Sequence, residues 1–159
     1  MRLKGVLILG VISLLISACS HSVADEEDST NDFSFTVVQA SYPPVLSNTT
    51  RIDVPFEITI GNKTDVPVKV EHIGIQSFEM GDYQIPFRSR PFETVIEPGK
   101  KATVEFWANA IITDPTLGTQ QPLTLRTMID FSSAQGSRHE VFVRGINGHV
   151  AIGVQKPLR

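Results

Sequence analysis

Few residues in this chain have the types and spacing that chemistry requires. Cys19 is the only thiol, so the chain can form neither an internal disulfide nor a cysteine-based zinc site. Histidines stand at 21, 72, 139 and 149. His21 sits in a polar stretch and the others are isolated. His139 and His149 approach each other if the chain turns back at Asn147-Gly148, but no third ligand suggests itself. The expectation is two surface histidines with no metal and no cofactor; the alternative is a metal-dependent hydrolase using that pair. A nucleophile needs a neighbouring base and an oxyanion pocket. No Gly-x-Ser-x-Gly elbow is present and no Ser-x-x-Lys pair stands out. The chain therefore reads as a binding or bracing protein and not as an enzyme.

The lone cysteine has a distinctive setting. Arg2 and Lys4 precede an uncharged run from Gly5 to Ala18, and Cys19 follows at once. Two early positive charges and a short apolar stretch are the features of a secretory signal. The run is shorter than the roughly 20 residues that span a bilayer. Ile16-Ser17-Ala18-Cys19 resembles the lipobox of bacterial lipoproteins, in which a branched aliphatic and two small residues precede a cysteine that is acylated and becomes the first residue. An ordinary cleaved signal is the plainer alternative. The resemblance implies several acyl chains on Cys19 and near-permanent anchoring, since one chain alone holds only marginally. Ser20 in place of an aspartate resembles lipoproteins forwarded to the outer membrane, which implies a location in the bacterial envelope facing the periplasm.

Residues 20–32 are polar and carry Asp25, Glu26, Glu27, Asp28 and Asp32 with no base. Such a composition has little to bury and predicts a disordered tether, extended to about 45 Å or coiled to about 20 Å. The run lacks the spaced Asp/Asn and Gly pattern of a calcium loop and reads as a solvated spacer. The whole chain has 14 Lys and Arg, 17 Asp and Glu, and a net charge of -3. Setting aside Arg2, Lys4 and the five tether acids leaves 12 bases and 12 acids in residues 33–159. A balanced body with scattered bases has no general pull on nucleic acid. Arg88-Ser89-Arg90 and Lys100-Lys101 are the closest basic groups. They read as charges that solubilise strand ends and block edge pairing.

The remainder alternates with a period of two. Phe33, Phe35 and Val37 share one parity, as do Ile52, Val54, Phe56, Ile58 and Ile60. Val66, Val68 and Val70 are followed by Ile73 and Ile75 on the opposite parity, which predicts a bulge near His72 or Gly74 or a change of sheet. Further runs are Ala102, Val104 and Phe106; Leu123, Leu125, Ile129 and Phe131; Val141 and Val143; and Val150, Ile152 and Val154. Turn residues separate them at 61–65, Gly81-Asp82, Pro98-Gly99, 132–137 and Asn147-Gly148, the last reading as a two-residue hairpin. Pro55 lacks a ladder donor, which predicts an edge at that point of its strand. About seven to nine strands with one buried face each predict an all-β fold, an immunoglobulin-like antiparallel β-sandwich. The domain plan is 1–18 signal, 19–32 lipidated cysteine and tether, and 33–159 sandwich.

Two strings that spell motifs are better explained as turns. Asn62-Lys63-Thr64-Asp65 spells the guanine-reading signature of GTP-binding proteins, but no phosphate loop accompanies it. Asn48-Thr49-Thr50 and Asn62-Lys63-Thr64 also spell glycosylation sites, which carry no meaning behind a bacterial export signal. The order of elements from the strand ending at Asn62, through Pro67 and Val66–Ile75, to Ile96-Glu97-Pro98-Gly99 and Ala102–Phe106 resembles type-2 late-embryogenesis-abundant proteins. Coverage is about residues 35–152, and the family's Asn-Pro pair is Asn62-Lys63 here. That resemblance implies protection of envelope components under water or salt stress.

Two features suit a protein partner. Asn109–Pro122 reads as a long connection carrying Ile111, Ile112 and Leu117, and long loops are often functional. Trp107 falls on the polar parity of Thr103 and Glu105, either packed after a bulge or presented as an aromatic anchor. Partner contacts are therefore expected at Trp107, Ile111, Ile112 and Leu117. The functional expectation is a membrane-anchored, non-catalytic lipoprotein that binds or braces envelope components. An accessory subunit of a secretion or envelope complex is the alternative.

Overall fold

The computed structural model describes residues 27–40, 45–48, 50–78, 83–113 and 121–148. They form two antiparallel sheets packed face to face as an immunoglobulin-like sandwich. The strands are β1 (Asp28–Ser29), β2 (Phe33–Gln39), β3 (Val45–Asn48), β4 (Arg51–Asn62), β5 (Val68–Ser77), β6 (Tyr83–Gln84), β7 (Arg88–Ile96), β8 (Lys101–Ile112), β9 (Gln121–Ser133) and β10 (Gly136–Gly148). One sheet runs β1-β2-β4-β8-β6, with β3 also paired to β4; the other runs β10-β9-β5-β7. Eight of these strands are four residues or longer, within the number that the alternation predicts.

The alternating apolar residues of β4 supply the centre of the larger sheet. Ile52, Val54, Phe56, Ile58 and Ile60 are all fully buried. Across from them on β8 stand Ala110, Ala108, Phe106, Val104 and Ala102, so large side chains of β4 mostly meet smaller ones. The register with β8 is continuous from Arg51–Ile111 to Gly61–Lys101, with no bulge to turn Trp107 inward. Trp107 therefore stays on the outer face beside Glu105, and its indole N–H donates to the Glu105 carboxylate.

Aromatic stacking joins the sheets. Phe33 of β2 lies parallel to Phe131 of β9 with centroids 4.3 Å apart, and Phe35 stacks on Phe142 of β10 at 4.8 Å. Such pairs contribute about 0.5–1.5 kcal/mol each beyond the area they bury. The parity switch in β5 is a bulge. Pairing with both neighbours shifts between Val70 and His72: against β9 Glu71 is the extra residue, while against β7 the extra residue lies on β7, between Pro91 and Thr94. Val68 and Val70 before it, and Ile73 and Ile75 after it, all face the core. β7 is a sheet edge and carries Arg88, Arg90 and Pro91, as expected of residues that discourage further pairing.

Three local readings are corrected. Pro55 does not lie on an edge strand, because β4 is flanked by β8 throughout and by β2 and β3 on its other side. Its missing donor falls in the gap between the last β2 pair, Gln39–Phe56, and the first β3 pair, Val45–Asp53. There its carbonyl still accepts from the Ala40 N–H at 2.9 Å. Asn147-Gly148 is not a hairpin turn; both residues continue β10, opposite Pro122 and Gln121. Positive φ is confined, among the described residues, to Gly99 and Gly136, so the left-handed geometry that an Asn-Gly turn needs is absent at 147–148. The close of the β9–β10 hairpin is at Ala134-Gln135, within the 132–137 turn expected. Finally, Asn109–Ile112 is the end of β8 and not loop.

The 62–65 turn carries the chain from one sheet to the other. Asn62 is buried and acts as a bracket. Its Nδ2 donates to the Val66 and Ile96 carbonyls at 2.8 and 2.9 Å, and its Oδ1 accepts from the Thr64 amide and hydroxyl at 2.9 and 2.7 Å. Its backbone exchanges hydrogen bonds with Lys100 and Gly99, which holds the Pro98-Gly99 turn against the same point. Removing this side chain takes the partner from the buried Ile96 carbonyl and from the Thr64 amide, at about 1–3 kcal/mol per group, while the Val66 carbonyl keeps the Thr64 hydroxyl at 3.0 Å. Asn62→Ala is expected to destabilise the protein by about 3 kcal/mol, read as a lower denaturant midpoint with an unchanged slope. Asn62→Asp is expected to do no better, because it turns a carboxylate oxygen toward two carbonyls.

Candidate functional site

The expected tether ends earlier than its composition suggests. Residues 27–32 fold back along the edge of β2 as a strap, with Asp28 opposite Phe35 and Ser29 opposite Ser34. Thr30 closes the bend, since its hydroxyl accepts from the Phe33 amide at 3.0 Å and its own amide donates to the Phe33 carbonyl at 2.8 Å. Three of the acids read as solvated instead meet bases of the body. Glu27 pairs with Lys101 of β8 at 2.6 Å, Asp28 with Arg144 of β10 at 2.5 Å, and Asp32 with Arg138 of β10. The Lys63 ammonium reaches the Thr30 carbonyl at 3.4 Å.

The bases come from strands that the fold brings to one side. β10 lies beside β2 because Phe142 stacks on Phe35, which places Arg138 and Arg144 along the strap. Lys101 begins β8 and stands across β4 from it, opposite Gly61. Gly61 is required there, because a Cβ would collide with the Ser34 hydroxyl and crowd the Lys101 stem. The Ser34 hydroxyl in turn helps hold the Glu27 carboxylate. Between the strap and β10 runs a groove of about 210 Å³, lined by Asp28, Ser29, Thr30, Phe35 and Val141–Val143.

The hydrogen bond from Lys101, followed by that from Ser34, holds the Glu27 carboxyl below its ordinary value of 4.5. On the outer face of the smaller sheet a hydrogen bond from Ser132, at 2.5 Å, lowers Glu71 in the same way. The bulge that leaves Glu71 extra also sets His72 opposite Asp130. Asp130 in turn faces His139, whose Nδ1 lies 2.6 Å from the Asp130 carboxylate. This row of His72, Asp130 and His139 across three strands is not evident in the sequence, where the histidines stand far apart. Among the described residues no three His, Cys, Asp or Glu groups converge on a point that holds a metal ion. His149 lies outside the described residues, so the expected approach of His139 and His149 has no counterpart there.

The residues expected to contact a partner separate. Trp107 and Ile111 stand on the outer parity of β8, opposite Pro55 and Arg51, and Ile112 packs against the core. Near Trp107 the Arg51 guanidinium donates to Asn109 at 3.1 Å, and Asn109 donates to Asp53 at 3.0 Å. Leu117 and Cys19 lie outside the described residues. No helix among the described residues is long and apolar enough to cross a membrane.

No protein-family model matches the chain, and no curated protein matches it. Solved structures do resemble it. A Northeast Structural Genomics Consortium target, SoR45, aligns with a TM-score of 0.53 at 10% identity, over 81% of this chain and 96% of that one. A protein from Archaeoglobus fulgidus aligns with a TM-score of 0.44 at 10% identity, over 76% and 94%. At that identity the first likeness shows a shared fold and nothing of function.

The strap gives a prediction with a definite sign. A carboxyl whose folded value is depressed stabilises the docked state above its unfolded value, and that contribution is lost as pH falls through the folded value. The group concerned is Glu27, held by Lys101 first and by Ser34 second. Amide exchange over Asp28–Ser34 is expected to be slow at pH 7 and to accelerate, once corrected for intrinsic pH dependence, below the ordinary Glu27 value of 4.5. Raising salt to about 1 M, where charges are screened beyond about 3 Å, is expected to do the same at neutral pH.

Proposed function

We propose that this is a lipid-anchored, non-catalytic sandwich of the bacterial envelope that holds a partner near the membrane. The observation that supports it most is the order of parts along one chain. A single acylatable cysteine at 19 is followed after seven residues by a strap clasped to the side of the sandwich. The clasp shortens the leash. From Cys19 to Glu27 is eight residues, at most about 27 Å of chain, where a free tether to residue 32 reaches about 45 Å. A short leash confines the domain to a thin layer over the bilayer and raises its effective concentration toward anything in that layer. Cys19 carries the acyl chains, and the outer membrane, on the periplasmic side, is the location that Ser20 suggests.

Metabolic labelling with an alkyne-tagged fatty acid, followed by membrane fractionation, tests this. The native chain is expected to take up label and sediment with outer membranes. Cys19→Ser is expected to lose the label and accumulate either unprocessed or soluble, with the thermal unfolding of its sandwich unchanged. Label retained in Cys19→Ser, or native protein found unlabelled in the cytosol, would contradict the reading.

A further inference from the structure

The edge of β2 is built to accept a strand. β1 pairs only with Ser34 and Phe35 there, and no other described strand pairs with β2 on that side. Val37 continues the same edge beyond the reach of β1, since its backbone points the same way as that of Phe33 and away from β4. Arg138 and Arg144 of β10 lie along it and Lys101 of β8 reaches toward it across β4, and each already meets a carboxylate from the strap. The adjacent groove is walled by Val141, Phe142 and Val143, of which Val141 and Val143 are 42% and 51% exposed.

We propose that this edge is a docking site for an extended acidic segment of a partner protein, which adds antiparallel to β2 in place of residues 27–32. Strand addition draws affinity from main-chain hydrogen bonds and selectivity from what flanks the edge. Here the flanking chemistry is basic, and an acidic segment is the occupant that the strap itself exemplifies. The strap is an exchangeable occupant for physical reasons. It contributes two ladder residues, and its ion pairs are partly exposed and open to screening. A longer incoming strand reproduces those pairs and adds backbone bonds at Val37. The groove then receives its alternate side chains beside Val141 and Val143. The proposal deepens the partner-holding reading and rests on it, while its test is independent of lipidation.

The full-length chain in detergent is titrated with a fluorescent peptide alternating glutamate and valine, and with a lysine–valine peptide as control. Removing the strap's charges by Glu27→Gln, Asp28→Asn and Asp32→Asn together frees the edge. This variant is expected to bind the glutamate peptide about tenfold or more tighter than the native chain, whose strap competes intramolecularly. Binding is expected to fall at high salt, to disappear when Arg138 and Arg144 are changed to Glu, and to slow amide exchange at Val37. If the triple variant does not fold, Asp32→Asn alone with the same peptides decides. Equal binding by native and variant chains, equal binding of the lysine peptide, or exchange of straps between two copies without peptide binding would each overturn the proposal.

Discussion

β2 belongs to one sheet through its hydrogen bonds and to the other through its rings. Its ladder is with β4, from Phe33–Asn62 to Gln39–Phe56, while Phe33 and Phe35 stack on Phe131 and Phe142 of the opposite sheet. These contacts close one side of the sandwich and bring β10 alongside the first residues of the fold. Without them Arg138 and Arg144 have no reason to lie near Asp32 and Asp28, and the strap has nothing to clasp. The hydrophobic contact thus sets the position of the charges. The charges then decide where the N-terminal segment runs. That order matches the energies involved, since aromatic burial is strong and exposed ion pairs are individually weak.

A second constraint acts at the same end of β2, on the strand that Phe33 pairs with. Asn62 gathers two carbonyls, one amide and one hydroxyl into a buried bracket, and its backbone ties down the Pro98-Gly99 turn. The crossover from β4 to β5 and the entry to β8 therefore share an anchor. Lys101 follows directly, opposite Gly61, which is kept free of a side chain beneath Ser34. Lys101 reaches Glu27 from there. The strap is thus supported from the bracketed turn on one flank and from β10 on the other.

How much of this was readable in the sequence follows from the range of each interaction. The sandwich was readable because alternation is local: Ile52–Ile60 and Phe33–Val37 announce their buried faces without knowledge of partners. The bulge at Glu71 was readable for the same reason, as a change of parity between Val70 and Ile73. Pro55 and Asn147-Gly148 misled because both are local turn or edge signals, and pairing over long distances prevailed at each. The acidic run was read as a solvated leash because composition registers that the acids have no base nearby in sequence. Their partners, Lys101, Arg138 and Arg144, are separated from them by 74, 106 and 116 positions. The stacked rings bring Arg138 and Arg144 to the strap, and the β2–β4–β8 ladder brings Lys101. The row of His72, Asp130 and His139 was hidden likewise, since a one-residue bulge sets its register.

The strap is held against the body by ion pairs that salt can screen. The most direct measurement places spin labels at Asn31→Cys and Gln135→Cys in a Cys19→Ser background and records their separation by pulsed dipolar spectroscopy. A single narrow distance at low ionic strength that broadens and lengthens in high salt is the predicted result. A broad, long distribution that is the same at every salt concentration would contradict it and return residues 27–32 to a free leash.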